Sequence, residues 1–283
     1  MVRTDSGELL AATARSKAQN AIVGDRVNCS LVDPDNVCIE QVEPRSSALE
    51  RLDRRGRSRI LASNFDCMII VSAPAPGIDR LMIDQYLVAA EDAGVNAVVL
   101  INKADLLTAA DRGNLEKSFA CYRNCGYEWI LCSAHDAASL APLHRTVSER
   151  ACVFVGQSGV GKSSLIQHAV PEQDIAVGAL SRAGLGSHTT IAAYWYETPG
   201  GGAVIDSPGV REFRVDHLNP HQIAAGFRDI ADAAADCRFS NCSHRHEPNC
   251  AVKTAVESGA LDATRHRNFV AMMTDSERVN SQH

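Results

Sequence analysis

The sequence predicts an α/β protein in three parts: a small N-terminal β unit, a central domain on a mostly parallel sheet, and a helical C-terminal unit. Three observations lead there. Residues 1–60 carry short alternating runs broken by turn residues, the pattern of half-buried strands. From residue 62, near-continuous apolar runs alternate with stretches of helical spacing, as in sheets covered on both faces. After about residue 216 the chain turns helical and polar and holds a cluster of cysteines and histidines. The domains expected are residues 1–61, 62–215 and 216–283.

In the first unit, Ala21–Val27 and Cys29–Leu31 read as strands, a turn falls on Asp33-Pro34-Asp35-Asn36, and Val37–Val42 returns. A partly open barrel of the OB type is the architecture expected for such a unit. In the central domain Asp66–Val71 is the first buried strand. Asp79–Ala93 has helical spacing and meets Gly94, a C-cap signal. Asn96–Ile101 is the second strand, residues 111–125 form a helix stopped by Gly126, and Tyr127–Cys132 is the third strand. Ala151–Val155 is a fourth, Ser163–Val170 a helix ended by Pro171, and Gly202–Ile205 a fifth strand.

Sequence motifs follow these strands. Gly156-Gln157-Ser158-Gly159-Val160-Gly161-Lys162-Ser163 fits G-x-x-x-x-G-K-[ST], with a strand before and a helix after. Glycines let backbone N–H groups wrap phosphates without a Cβ clash, and the helix N-terminus favours the anion. Lys162 would reach the β- and γ-phosphates, and Ser163 would offer its hydroxyl to Mg²⁺. Asn102-Lys103-Ala104-Asp105 follows the second strand. A carboxylate at Asp105 accepts two hydrogen bonds from the N1–H and N2–H₂ edge of guanine, a donor pair adenine lacks. Asn102 would brace loop and base, with the Lys103 stem packed along it. Ser133-Ala134-His135 follows the third strand, where a backbone N–H would support guanine O6. Asp206-Ser207-Pro208-Gly209 follows the fifth and fits D-x-x-G, with Asp206 acting on Mg²⁺ through water and the Gly209 N–H facing the γ-phosphate.

These motifs predict a guanine-nucleotide switch. Ligands in open α/β sheets bind beyond the carboxyl ends of strands, so all of them can meet on one nucleotide. Their order is unusual: the base-recognition motifs precede the phosphate motifs, a circular permutation of the usual P-loop GTPase arrangement. Between phosphate loop and D-x-x-G lies Gly184-Leu185-Gly186-Ser187-His188-Thr189-Thr190. Either Thr189 or Thr190 would be the threonine that binds Mg²⁺ only while the γ-phosphate is present. The position that holds a water-orienting glutamine in Ras-like enzymes is Val210, which cannot polarise water, so slow intrinsic hydrolysis raised by a partner is expected. His188 is the local candidate for positioning water, and a structural or RNA-facing role is its alternative. The segment after D-x-x-G leads straight into the C-terminal unit, so nucleotide state is expected to reposition that unit.

The 283 residues are 45% hydrophobic and 22% charged, with net charge −6. That balance argues against a uniformly basic nucleic-acid coat. A local basic face or a solvated loop remains between Arg45 and Arg59, where Arg45, Arg51, Arg54, Arg55, Arg57 and Arg59 face only Glu50 and Asp53. No apolar run nears the ~18 residues of a membrane span, and the N-terminus lacks a continuous apolar segment; a cytoplasmic protein without membrane attachment, and a monomer, is expected. Of ten cysteines, seven are dispersed and read as small buried hydrophobes. The other three join a histidine in Cys237-x₄-Cys242-x-His244-x₅-Cys250. Three thiolates and an imidazole make a closed, structural Zn²⁺ site. His246 competes for the fourth position, and a redox pair is the alternative chemistry.

Taken together, N-K-x-D, S-A-x, G-Q-S-G-V-G-K-S-S, the His188-Thr189-Thr190 segment, D-S-P-G-V-R-E-F and the Cys/His cluster resemble the ribosome small-subunit-dependent GTPase A family (RsgA, also called YjeQ or YloQ). Val23-Gly24-Asp25-Arg26-Val27 and Pro44-Arg45-Ser46-Ser47 are similar to its N-terminal OB domain. The resemblance implies a bacterial cytoplasmic factor in late small-subunit maturation. It would bind that subunit and its rRNA through the OB and zinc domains and hydrolyse GTP slowly unless stimulated by the subunit. It also implies guanine contacts by Asn102, Lys103 and Asp105, phosphate contacts from Gly156 to Ser164, zinc on Cys237, Cys242, His244 and Cys250, and a family histidine at His188. An RNA-binding module that senses nucleotide with negligible turnover is the competing reading. A metabolic P-loop kinase is disfavoured, because N-K-x-D has no role there.

Overall fold

The computed structural model describes residues 1–53, 56–171, 193–206 and 213–280. The N-terminal unit begins with β1 (Val2–Arg3), β2 (Leu9–Ala14), β3 (Val27–Asp33) and β4 (Asn36–Val42), which form one sheet in the order β1-β2-β4-β3. β3 and β4 are an antiparallel hairpin, while β2 runs parallel to β4. The predicted turn is there: the Asp33 carboxylate accepts the Asp35 N–H at 3.0 Å and the Asn36 side chain at 2.8 Å. β5 (Ala48–Leu52) and β6 (Ser58–Ser63) make a second hairpin, hydrogen-bonded as its own sheet among the described residues.

The strand expected over Ala21–Val27 is instead a turn, and β3 starts only at Val27. The reason lies in Asp25. Its carboxylate accepts the Ile22 N–H at 2.9 Å, the Ser63 hydroxyl at 2.6 Å and a forked pair from Arg45 at 2.7 and 2.8 Å. Such side-chain bonds hold a turn against ladder formation. Gly24 sits at φ 91, and a Cβ there would lie 2.0 Å from the Ser63 carbonyl oxygen, so no other residue fits this close approach. The arginine-rich stretch is also partly spent internally: Arg45 on Asp25, and Arg57 and Arg59 on Asp53.

The central sheet contains β7 (Cys67–Ser72), β8 (Asn96–Ile101), β9 (Glu128–Leu131), β10 (Ala151–Gly156), β11 (Tyr194–Glu197) and β12 (Ala203–Asp206), in the order β11-β12-β10-β7-β8-β9. All pairs are parallel except the edge strand β11, antiparallel to β12. Helices α1 (Arg80–Asp92) and α2 (Ala109–Asn124) cover one face, and α3 (Ala141–Val147) and α4 (Lys162–Ala169) the other. Both helices on the first face are capped at their N-termini. The Asp79 side chain accepts the Met82 N–H at 3.1 Å, and Thr108 and Asp111 form a reciprocal capping box.

Alternation along the strands divides the core. Met68 and Ile70 of β7 point to the α1/α2 side, while Cys67, Ile69 and Val71 point to the α3/α4 side. The C-terminal helices α5 (Pro220–Ala225), α6 (Arg228–Ala234), α7 (Ala251–Glu257) and α8 (Ala263–Asn280) extend the first of these cores through Ile223, Phe227, Ile230, Val252 and Phe269. Arg265 of α8 is buried in the seam. It donates to Asp84 of α1 at 2.6 Å and, as a fork, to Asp229 of α6 at 2.7 and 2.8 Å, between the rings of Tyr122 and Phe227. Burial pushes the Asp84 carboxyl up to about 6, against the pull of Arg265.

Candidate nucleotide-binding site and metal centre

Every predicted nucleotide motif within the described residues lies at the carboxyl end of a parallel strand. β10 runs into the phosphate loop, β8 into Asn102–Asp105, β9 into Ser133–His135, and β12 ends at Asp206. From β10 the sheet continues one way to β12 and the other way to β7, β8 and β9. The helices after β10 and β7 pass to opposite faces. The phosphate loop therefore sits at the switch point where doubly wound sheets open a ligand crevice.

Asn102 knits the loops together. Its side chain is buried, with Nδ2 donating to the Val160 carbonyl at 2.9 Å and Oδ1 accepting the Ala134 N–H at 3.1 Å. A Cβ on Gly161, at φ 95, would lie 2.3 Å from Asn102 Nδ2. The last glycine of the motif thus serves the base-side loop as well as the phosphate side. Lys103 adopts φ 59, which turns its side chain across the phosphate loop, and Nζ donates to Gly159 O at 2.6 Å and Ala75 O at 2.8 Å. The Ala104 N–H donates to the Cys132 carbonyl at 2.9 Å. Asp105 is exposed at the rim. The Ser133 hydroxyl donates to it and holds its carboxyl below the ordinary range. An ionised acceptor thus faces outward where a purine edge would lie. Of the loop N–H groups expected near guanine O6, that of Ala134 is given to Asn102 here.

On the phosphate side, Gly159 at φ 83 has open space where a Cβ would stand, and Gly161 caps α4 in the left-handed conformation. Lys162 is buried and donates from Nζ to the Gly156 and Gln157 carbonyls, each at 2.8 Å. Burial pushes its ammonium down to about 8, against the attraction of Asp206. Burial likewise raises Asp206, which Lys162 pulls back. Ser158 is exposed in the loop, Val160 is core, and Ser163 and Ser164 stand in the first turn of α4, half-buried and exposed. An anion there meets a helix N-terminus and a cation, and the hydroxyl of Ser163 with the carboxylate of Asp206 suits a hard, oxygen-ligated cation. His188, Thr189, Thr190 and Gly209 lie outside the described residues.

The second cluster is in the C-terminal unit. Ligand atoms of Cys237, Cys242, His244 and Cys250 all lie within 4.8 Å of one another. Cys237 Sγ is 3.6 Å from His244 Nδ1 and 3.9 Å from Cys250 Sγ, and Cys250 Sγ is 3.4 Å from His244 Nδ1. Ligands about 2.3 Å from a central zinc stand about 3.7 Å apart in a tetrahedron, so donor set and spacing fit that ion. The histidine in the cluster is His244, not His246. The ligand loop is braced from outside. Glu247 accepts the backbone N–H groups of Ser243, Arg245 and His246, and the Ser243 side chain, with backbone N–H groups after it, holds its carboxyl well below the usual range. His266 Nε2 donates to the His244 carbonyl at 3.0 Å.

The edge strand β11, helix α3 and the contact of His168 with the base-side loop leave no mark in the sequence. β11 has four residues and α3 seven, too short for a period to show. His168 has no motif to mark it.

A sequence model of the RsgA GTPase family matches residues 42–216. The protein named small ribosomal subunit biogenesis GTPase RsgA from Actinobacillus pleuropneumoniae serotype 5b is 40% identical over 287 residues, covering 99% of this chain and 83% of that protein. Its namesake from Alcanivorax borkumensis is 40% identical over 257 residues, covering 90% and 73%. Among solved structures, YjeQ from Thermotoga maritima superposes with a TM-score of 0.75 at 29% identity, covering 96% of this chain and 91% of that one. YloQ, described as a circularly permuted GTPase, gives 0.72 at 25% identity, covering 97% and 88%. With its described motifs gathered at one crevice in permuted order, and with these relatives along nearly its whole length, the chain belongs to the RsgA GTPase family.

Proposed function

We propose that the protein is a slow GTP hydrolase, stimulated by the small ribosomal subunit, that acts in late maturation of that subunit and binds its rRNA. The observation that carries this reading is the Asn102 clamp, which ties the phosphate loop to the base-side loop; in this reading both loops grip one guanine nucleotide. Relatives named small ribosomal subunit biogenesis GTPase support the choice of partner. In this reading residues 1–61 are an OB-type RNA-binding domain, 62–215 the permuted GTPase domain and 216–283 a zinc-binding domain. Asp105 reads the guanine edge and Lys162 holds the phosphates. Ser163 and Asp206 hold Mg²⁺, whose charge offsets that of the β- and γ-phosphates. Cys237, Cys242, His244 and Cys250 hold a structural Zn²⁺. The reading places it as a cytoplasmic monomer on the ribosome. Among the described residues no helix is long and apolar enough to cross a membrane.

GTP turnover of the chain alone, with purified small subunits and with large subunits, tests the reading. Stimulation by the small subunit only is expected. Val210 at the usual glutamine position favours a second reading, an RNA-binding module that senses nucleotide without turning it over. Tight GTP binding with no stimulation by either subunit would select that one.

A further inference from the structure

We infer that His168 is a positioning residue for guanine selectivity, clamping the Ser133–His135 loop to the helix that begins at the phosphate loop. His168 lies on α4, six residues beyond Lys162. At about 1.5 Å per residue, that carries it about 9 Å from the phosphate end of the helix, roughly the reach from phosphates to base. Its Nε2 is 2.8 Å from the Ala134 carbonyl oxygen. A carbonyl only accepts, so this nitrogen bears the hydrogen and donates.

The Ala134 residue is thereby held from both sides. Its N–H goes to Asn102 Oδ1 at 3.1 Å and its C=O to His168. Asn102 in turn bonds Val160 beside Gly161 and Lys162. The base-side loop therefore has two anchors on the phosphate-binding segment, one before α4 and one two turns into it. The same loop presents the Ser133 hydroxyl to Asp105. Freeing Ala134 would loosen the neighbouring serine that orients the guanine-reading carboxylate. Phosphate contacts, which every nucleoside diphosphate makes alike, would stay in place. The clamp thus acts on the base and not on overall nucleotide affinity.

This inference rests on the guanine pocket proposed above, and the test separates the two. Dissociation constants for GDP and ADP are measured by competition against a fluorescent GDP analogue, for the natural chain, H168A, H168Q and D105A. One neutral hydrogen bond corresponds to roughly a five- to tenfold change in affinity. H168A is expected to weaken GDP by about that factor and to leave ADP within about twofold, narrowing selectivity, and H168Q, which keeps a donor, to recover most of the loss. Equal weakening of GDP and ADP would make His168 a structural residue of α4 and overturn the inference, as would an unchanged GDP constant. A natural chain that does not prefer GDP to ADP, with D105A no different, would overturn the pocket itself.

Discussion

Arg265→Met tests how the C-terminal unit is held to the GTPase core. The guanidinium makes one bond of 2.6 Å to Asp84 and a fork of 2.7 and 2.8 Å to Asp229. Methionine nearly matches the side-chain volume but leaves both carboxylates without their cation. The two carboxylates differ in their access to water. The Asp229 side chain is 18% exposed and can turn to solvent, whereas that of Asp84 is at 0% and retains Asn268 as a donor at 2.6 Å. Removing one partner of a buried pair costs about 3–5 kcal/mol, and at 2–4 °C per kcal/mol for a chain of this order the melting temperature should fall on the order of 10 °C. Most of that cost is the stranded charge, so adding Asp84→Asn to Arg265→Met should recover at least half.

The pH dependence has a definite sign. Asp84 already stands near 6 with Arg265 present, above its unfolded value, and loss of the guanidinium raises it further. The folded state then holds a proton that the unfolded state gives up, so stability falls as pH rises from about 4 through the folded value. In Arg265→Met that window reaches to higher pH, and the gap to the natural chain should be smaller at pH 5.5 than at pH 8. Urea melts of the four chains in the cycle at both values measure it. A loss under about 1 kcal/mol, the size of a surface pair, or no recovery in the double variant, would refute the buried clasp.

Lys162 supplies a second pH test. Its ammonium stands at about 8 in the free site, and a bound diphosphate would restore the charge, so binding takes up a proton above that value. GDP affinity should therefore fall roughly tenfold between pH 7 and 9, and a flat profile by calorimetry would exclude a titrating lysine. At the Cys/His cluster one zinc per chain is expected, released by thiol modification and read with a chelating dye. Cys250→Ser, at the buried ligand, should lose the metal and lower the melting temperature. A variant that keeps its full zinc content would remove Cys250 from the ligand set.

Much of this molecule was legible along the chain because its determinants are local. Asn96–Ile101 is a strand in both sequence and structure because six residues in a doubly covered position need only be apolar. Asp79 and Gly94 bracket α1 as caps do, through bonds within a few residues. The nucleotide motifs were readable for the same reason: each is a short backbone shape with one or two reactive side chains. Ala21–Val27 misled because apolar alternation cannot register a carboxylate claimed by residues far along the chain, Arg45 and Ser63.

The sequence alone thus determined the fold class, the permuted order of the motifs and the three cysteines of the Cys/His cluster, all matters of residue type and short spacing. Tertiary structure decided which groups act together. It chose His244 over His246, because only the folded loop brings one imidazole among three thiols. It brought Asn102 to Val160 and Ala134, His168 to the same loop, and Arg265 between Asp84 and Asp229. These contacts join residues about 30 to 180 positions apart. Their strength depends on distance, direction and the exclusion of water, none of which a linear order of side chains contains.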